Sequence, residues 1–273
     1  MKARTAIKIG LGLGAAIWVA RRLANHKLTE ALGAVLKDVQ ATCGRYTPWY
    51  STNRWTTLGQ EQALQRDERR TAAVRARYDR IAAIYDFIER PMERGSFSRW
   101  RKRLWAEVNG PRILEVGVGT GKNFAYYPKD AEITAVDFSP RMLERARRRA
   151  KQEGVQVDLR LMDVQHLEFP DKTFDSVVGS FVFCSVPDPI KGLQELRRVT
   201  KPEGKIVLLE HMRPPGLAGK LADVLNPFVV RLWGANMNRR TVENVVQAGL
   251  TIERVESLWR DVVKLIVACP SKE

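Results

Sequence analysis

A short apolar strand that runs straight into three closely spaced glycines constrains this chain more than any other feature. Residues 112–123 read Arg-Ile-Leu-Glu-Val-Gly-Val-Gly-Thr-Gly-Lys-Asn. Ile113, Leu114 and Val116 have strand character, and Gly117, Gly119 and Gly121 follow at alternate positions. Glycine reaches positive φ without strain and carries no Cβ, so such a turn lets the backbone lie against a ligand. The dinucleotide fingerprint needs G-x-G-x-x-G, whereas here the third glycine arrives one residue early. Glu115, just before the turn, suits a ligand amine and disfavours a pyrophosphate. The pattern points to an aminoacyl-type nucleoside; the competing reading is a tight strand-to-helix turn with no ligand.

Downstream the periodicity alternates between strand and helix. Strands are predicted at 112–117, 132–137, 156–161, 174–180, 205–210, 251–257 and 262–268. Helices are predicted at 121–128, 139–152, 188–199 and 240–248, with Ser139-Pro140 as a start signal. Such alternation specifies an α/β fold, a parallel sheet covered by helices on both faces. Upstream, Glu61 to Arg80 is highly charged and lacks Pro and Gly, which reads as a long exposed helix. Tyr78-Asp79 and Tyr85-Asp86 accompany Ile81, Ile84 and Ile88 on one helical face. After Pro91 comes a basic amphipathic helix, with Phe97, Trp100, Leu104 and Trp105 among Arg99, Arg101, Lys102 and Arg103. Its face is either a solvated surface over a core stripe, or a lid or lipid-contacting surface over the ligand site.

Asp137 closes the second strand, sixteen residues after Gly121, where an acid can accept both ribose hydroxyls or cap the next helix. Asp163 follows the third strand; it can accept from an adenine N6 amine, with Val164 backing the ring, or simply shape a turn. The fourth strand opens onto Ser180-Phe181-Val182-Phe183-Cys184-Ser185, beside the expected reaction centre.

With these landmarks in order, residues 75–268 resemble the class I S-adenosylmethionine-dependent methyltransferases, in particular the methyltransferase-11-type group. The resemblance implies a Rossmann-like seven-stranded sheet whose last strand pair contains one antiparallel member. It implies that Glu115, Gly117, Gly119, Asp137, Asp163, Val164 and Ser180 line S-adenosylmethionine, and Gly121, Asn123, Phe138 and Met142 are assigned to the same site. RILEVGVGTG, MDVQHLEFPDKTFD and SVPDP are similar to bacterial phosphatidylethanolamine N-methyltransferases. The Tyr78–Trp100 region and LEFPDKTFD are similar to ubiquinone/menaquinone C-methyltransferases, and LEVGVGTGKNFAYYP with LLEH is similar to membrane-associated thiol methyltransferases of animals.

Methyl transfer is an in-line displacement for which the cofactor supplies the electrophile, so the protein aligns the acceptor and, where needed, removes a proton. His211, at the end of the fifth strand, is the candidate base, against the reading of a polar strand-end residue. Tyr85 and Tyr78 are candidates for closing over the cofactor and meeting the acceptor, or for core packing. Cys184 reads as a small apolar filler.

The net charge of +15 and pI near 10.0 imply an anionic partner. Nucleic acid is disfavoured: Ser180 to Val186 stands where an Asn-Pro-Pro-Tyr-like motif would follow the fourth strand, and no RNA-binding module is recognisable. A membrane surface fits better. Ile9 to Ala20 is a run of twelve uncharged residues between Lys2, Arg4 and Lys8 on one side and Arg21 and Arg22 on the other. That is short of the ~20 residues of a spanning helix. An anchor or interfacial helix, a removed targeting segment and a docking helix are the three readings. The resulting expectation is a membrane-associating segment (1–22), a helical and turn-rich extension (23–74) and a methyltransferase domain (75–273). Cys43, Cys184 and Cys269 show no metal or disulfide spacing, so no metal is expected, and the catalytic domain should face the cytoplasm or an equivalent reducing compartment. The expected activity is methyl transfer to a lipophilic acceptor, a phospholipid amine or quinone precursor. Thiol or nucleic-acid methylation and a non-enzymatic membrane assembly role are the alternatives.

Overall fold

A computed structural model describes residues 57–270 of the chain. The segment expected at 1–22 and most of the extension expected at 23–74 lie outside the described residues. A long helix, α1 (Thr57–Met92), passes without a break through residues 74–75, where the extension was expected to meet the catalytic domain. A wide π-helical turn, Glu93–Phe97, joins it to the short helix α2 (Ser98–Trp105).

Seven strands follow: β1 (Arg112–Val116), β2 (Glu132–Asp137), β3 (Asp158–Leu161), β4 (Phe174–Ser180), β5 (Thr200–His211), β6 (Leu250–Trp259) and β7 (Val263–Pro270). Their order in the sheet is β3-β2-β1-β4-β5-β7-β6. β7 runs antiparallel to both β5 and β6, while the other pairs are parallel. The remaining helices are α3 (Pro140–Glu153), α4 (Pro189–Val199), α5 (Gly216–Trp233) and α6 (Thr241–Gln247).

Alternation along the central strands divides the core into two layers. Leu114, Val116, Val177, Ile206, Leu208 and Ile266 face one way, onto Leu193 and Leu196 of α4 and Val245 of α6. Ile113, Val178, Val207, Leu209, Leu265 and Val267 face the other way, onto Leu104 and Trp105 of α2. Helices therefore cover both faces, as the strand–helix alternation requires.

Two departures from the sequence expectation have physical causes. The helix expected at 121–128 is a series of turns ending in a single 3-10 turn at Phe124–Tyr126. Gly121 has φ +81, which no right-handed helix contains. Conversely, α5 was not foreseen, because Pro214, Pro215, Gly216, Gly219 and Pro227 crowd its sequence with breakers. Pro227 is nonetheless carried within it. The Ser139-Pro140 signal acts as expected: the Ser139 side chain accepts from the Met142 N–H at 3.1 Å, with Pro140 opening α3.

Candidate cofactor cleft and active site

The strand order reverses direction between β1 and β4, and a cleft opens beyond the carboxyl ends of β1, β2 and β4, where open α/β sheets bind their ligands. It opens to solvent and is lined by residues at or just beyond the three strand ends. Gly117, Gly119, Asp137, Phe138, Met142, Asp163, Val164, Ser180 and Tyr85 all line it, together with Tyr78. Sequence reasoning had assigned the first nine to one site.

The glycines serve different ends. A Cβ on Gly117 would stand 2.6 Å from the Val182 side chain, and one on Gly121 would stand 2.4 Å from the Phe124 ring. Both are packing constraints in addition to positive φ. Gly119 also has positive φ (+57), but above it the space is open, with only the Gly117 carbonyl at 4.0 Å. Gly119 alone of the three presents bare backbone to open space in the cleft.

Asp137 ties the loop to the second strand. Its Oδ2 accepts from the Gly119 N–H at 2.8 Å and its Oδ1 from the Ser139 N–H at 2.9 Å. The Phe138 N–H also acts on this carboxylate, which with about four acceptor positions keeps capacity for a ligand hydroxyl. Burial raises its pKa to about 6, against the lowering effect of those N–H groups. Asp163 lines the cleft and also shapes its own turn, accepting from the Gln165 backbone and side chain.

Glu115 lies beneath this surface and does not line it. Its two oxygens accept from Asn123 Nδ2 at 2.6 Å and from the Tyr127 hydroxyl. At 1% exposure, burial lifts its pKa to about 7. Asn123 is likewise buried and absent from the lining; it donates to Ser180 Oγ at 3.0 Å and accepts from Arg101 at 3.0 Å. Arg101 also donates to Ser180 Oγ at 2.9 Å and pairs with Glu93 at 3.0 Å. Gly121 packs on Phe124 away from the cleft. This network joins α2, the glycine loop and the end of β4 into one polar floor.

The α1 helix is pinned over the opening. Asp86 accepts from the Thr120 hydroxyl at 2.6 Å and pairs with Lys122, Arg145 and Arg149 at 3.0–3.3 Å. Asp79 accepts from Ser139 Oγ at 2.6 Å. These bonds set the Tyr78 and Tyr85 rings, 6.5 Å apart, into the cleft, with Tyr78 edge-on to Phe138. Burial pushes both phenols well above their ordinary range, so both remain neutral donors. The Tyr85 hydroxyl is hydrogen-bonded to Glu89, which is buried and whose Oε2 has no partner among the described residues.

Beyond Ser180 the chain turns sharply: Phe181 has φ +58, an uncommon conformation for a non-glycine residue and one that concentrates at functional sites. Its ring stacks on Phe97 at 4.8 Å. Cys184 is buried, its thiol pushed up to about 12 by burial and close to the Phe181 carbonyl, so it stays protonated. His211 stands outside the cleft lining, with burial holding its pKa near 4. Its neighbour Glu210 is wholly buried and accepts from the Val182 and Phe183 N–H groups, which shapes the same loop.

Sequence reading missed Arg101 and Glu89. Arg101 shares a helical face with Phe97, Leu104 and Trp105, and an arginine on an apolar stripe was the available signal. Glu89 lies one turn after Tyr85, the spacing at which helical side chains meet. Among the described residues no group of His, Cys, Asp or Glu is placed to hold a metal ion.

A sheet of this order, with bare glycine backbone and a diol-accepting acid at the ends of adjacent strands, defines a Rossmann-like nucleoside-binding α/β fold of the methyltransferase type. Known proteins agree. Residues 114–208 match the family described as "Methyltransferase domain". A phosphatidylethanolamine N-methyltransferase of Cereibacter sphaeroides is 41% identical over 133 residues, covering 47% of this chain and 64% of that protein. A demethylmenaquinone methyltransferase of Thermotoga maritima is 37% identical over 162 residues, covering 57% of this chain and 68% of that protein. The chain thus spans less than two thirds of the first relative's length and slightly more than two thirds of the second's. A solved geranyl diphosphate methyltransferase in complex with S-adenosylmethionine superposes with a TM-score of 0.54 at 18% identity, over 64% of this chain and 85% of that one; this likeness concerns the fold. The chain belongs to the S-adenosylmethionine-dependent methyltransferases.

Proposed function

We propose that this protein transfers a methyl group from S-adenosylmethionine to a lipophilic acceptor, a phospholipid amine or a quinone precursor, at a membrane surface. The carrying observation is the mixed lining of the cleft. Gly119 and Asp137 offer bare backbone and a diol acceptor, and Tyr78, Tyr85 and Phe181 line the same cleft with aromatic rings. The printed activities of the two relatives, on phosphatidylethanolamine and on demethylmenaquinone, support an acceptor of this kind.

When bound, S-adenosylmethionine supplies the electrophilic methyl group. The chain's residues hold and orient it: Asp137 would accept the ribose hydroxyls and Gly119 would let the backbone approach. Met142, Met162 and Val164 would give apolar walls to the adenine, with Asp163 as its polar partner. Glu115, Gly121 and Asn123 keep the loop and floor in place from below. Tyr85 is assigned to the acceptor side, where its neutral phenol can hold a head-group heteroatom, take the proton the acceptor loses and give its own to the Glu89 carboxylate. Residues 1–22 are assigned to membrane association, 23–74 to the extension and 75–273 to catalysis. The +15 charge supports residence at an anionic, cytoplasm-facing leaflet. Among the described residues no helix is long and apolar enough to cross a membrane.

Incubation with methyl-labelled S-adenosylmethionine and fractionated membrane lipids tests this reading. Label is expected in an aminophospholipid or quinone-precursor fraction. Label recovered only in RNA or in small thiols would overturn it.

A further inference from the structure

The α5 helix carries an apolar face that no described residue covers. Leu217, Val224, Leu225 and Phe228 are 40, 46, 40 and 67% exposed. With the half-buried Leu221 they fall within an arc of about 100° at the helical repeat, the width of a stripe that normally faces a core. Here the stripe faces outward, while Gly219 and Ala222 face the protein. Lys220 and Arg231 border it on one side. The single acid of the helix, Asp223, is turned away and paired with Arg213 at 2.7 Å.

Its position matters as much as its composition. A Cβ on Gly234, which caps α5, would come within 3.5 Å of Arg77 and 3.7 Å of Tyr78, and Tyr78 lines the cleft. Two residues on, Asn236 donates to the Cys184 carbonyl at 2.8 Å, in the loop that closes β4. The helix that carries the exposed face therefore ends beside the cleft wall.

We infer that the outer face of α5 seats in an anionic phospholipid leaflet and holds the cleft at the bilayer. This rests on the membrane-acceptor reading above and assigns it a surface. Phe228, Leu225, Val224 and Leu217 enter the acyl boundary, and the stems of Lys220 and Arg231 carry their charges back to the phosphates. The occupant is a lipid surface on grounds of charge: both flanking residues are cationic, the one acid is neutralised, and the whole chain carries +15.

The test uses the full chain with an environment-sensitive fluorophore at position 228 (Phe228→Cys, with Cys43→Ser and Cys269→Ser; Cys184 is buried). It is mixed with vesicles of phosphatidylcholine and phosphatidylglycerol that carry nitroxide on their acyl chains. Quenching at 228 is expected, and Lys220→Glu with Arg231→Glu should raise the lipid needed for it at least about tenfold. Vesicle binding without quenching at 228 would overturn this surface and leave the membrane reading standing. No vesicle binding at all would overturn both. A label already shielded without vesicles would also overturn the assignment, to a second copy if dilution exposes it and to the chain's own residues if dilution does not.

Discussion

Gly119→Ala separates the ligand-binding duty of the glycine loop from its folding duty. The residue sits at φ +57, so alanine there costs the left-handed conformation, about 1–2 kcal/mol. Nothing closer than the Gly117 carbonyl at 4.0 Å meets the new methyl, so no packing term adds to this. At about 2–4 °C per kcal/mol for a domain of this size, the melting temperature should fall by roughly 2–8 °C. The same methyl, however, fills space in the cleft that a cofactor held by Asp137 must use. An intruding group of that size costs about 1–3 kcal/mol, or roughly 5- to 150-fold in affinity for S-adenosylmethionine. Gly121→Ala is the control: its Cβ would stand 2.4 Å from the buried Phe124 ring at φ +81, so strain and overpacking together cost about 2–5 kcal/mol. Thermal unfolding and titration calorimetry on both variants measure the two effects. If Gly119→Ala binds the cofactor as tightly as the parent while folded, the assignment of this cleft is wrong. Equal loss of stability in the two variants would refute the claim that the glycines differ in duty.

Asp137→Ala should weaken S-adenosylmethionine binding by at least ~100-fold, since two hydrogen bonds to a charged acceptor contribute about 1.5–3 kcal/mol each; calorimetry on the folded variant checks this. Arg101→Met should destabilise by about 3–5 kcal/mol, because Glu93 is left as an uncompensated carboxylate and Asn123 and Ser180 each lose a donor; a urea midpoint equal to the parent's would contradict it. Glu210 has a folded-state pKa raised by burial from 4.5 to about 7, so the native state keeps a proton that the unfolded chain has released. The stability it contributes is present below pH 4.5 and is lost as pH rises through 7, by roughly 3 kcal/mol at most. Glu210→Gln, which keeps an acceptor for the Val182 and Phe183 N–H groups, should flatten that part of the pH dependence in denaturation midpoints between pH 5 and 8.

Local rules were enough for the frame of this protein. Apolar strands, Ser139-Pro140 and the glycine turn are short-range signals, so the alternation of strands and helices and the placing of Gly119 and Asp137 beside one cleft were legible in the sequence, whereas the hydrogen bond between them was not. Glycine spacing likewise announced a turn at 117–121, because positive φ is a property of single residues. Faces and distances were not local. Glu115 shares its side of β1 with Ile113, which packs under α2, and its oxygens are taken by Asn123 and Tyr127, so proximity in sequence to the glycines did not put it in the cleft. Tertiary contact alone decided that Arg101 would be buried beneath Ser180 and that α1 would be clamped at Asp86. It also kept α5 helical through Pro227 with an apolar face turned to solvent. Side-chain periodicity tells which residues share a surface, but only the packed chain settles what that surface meets.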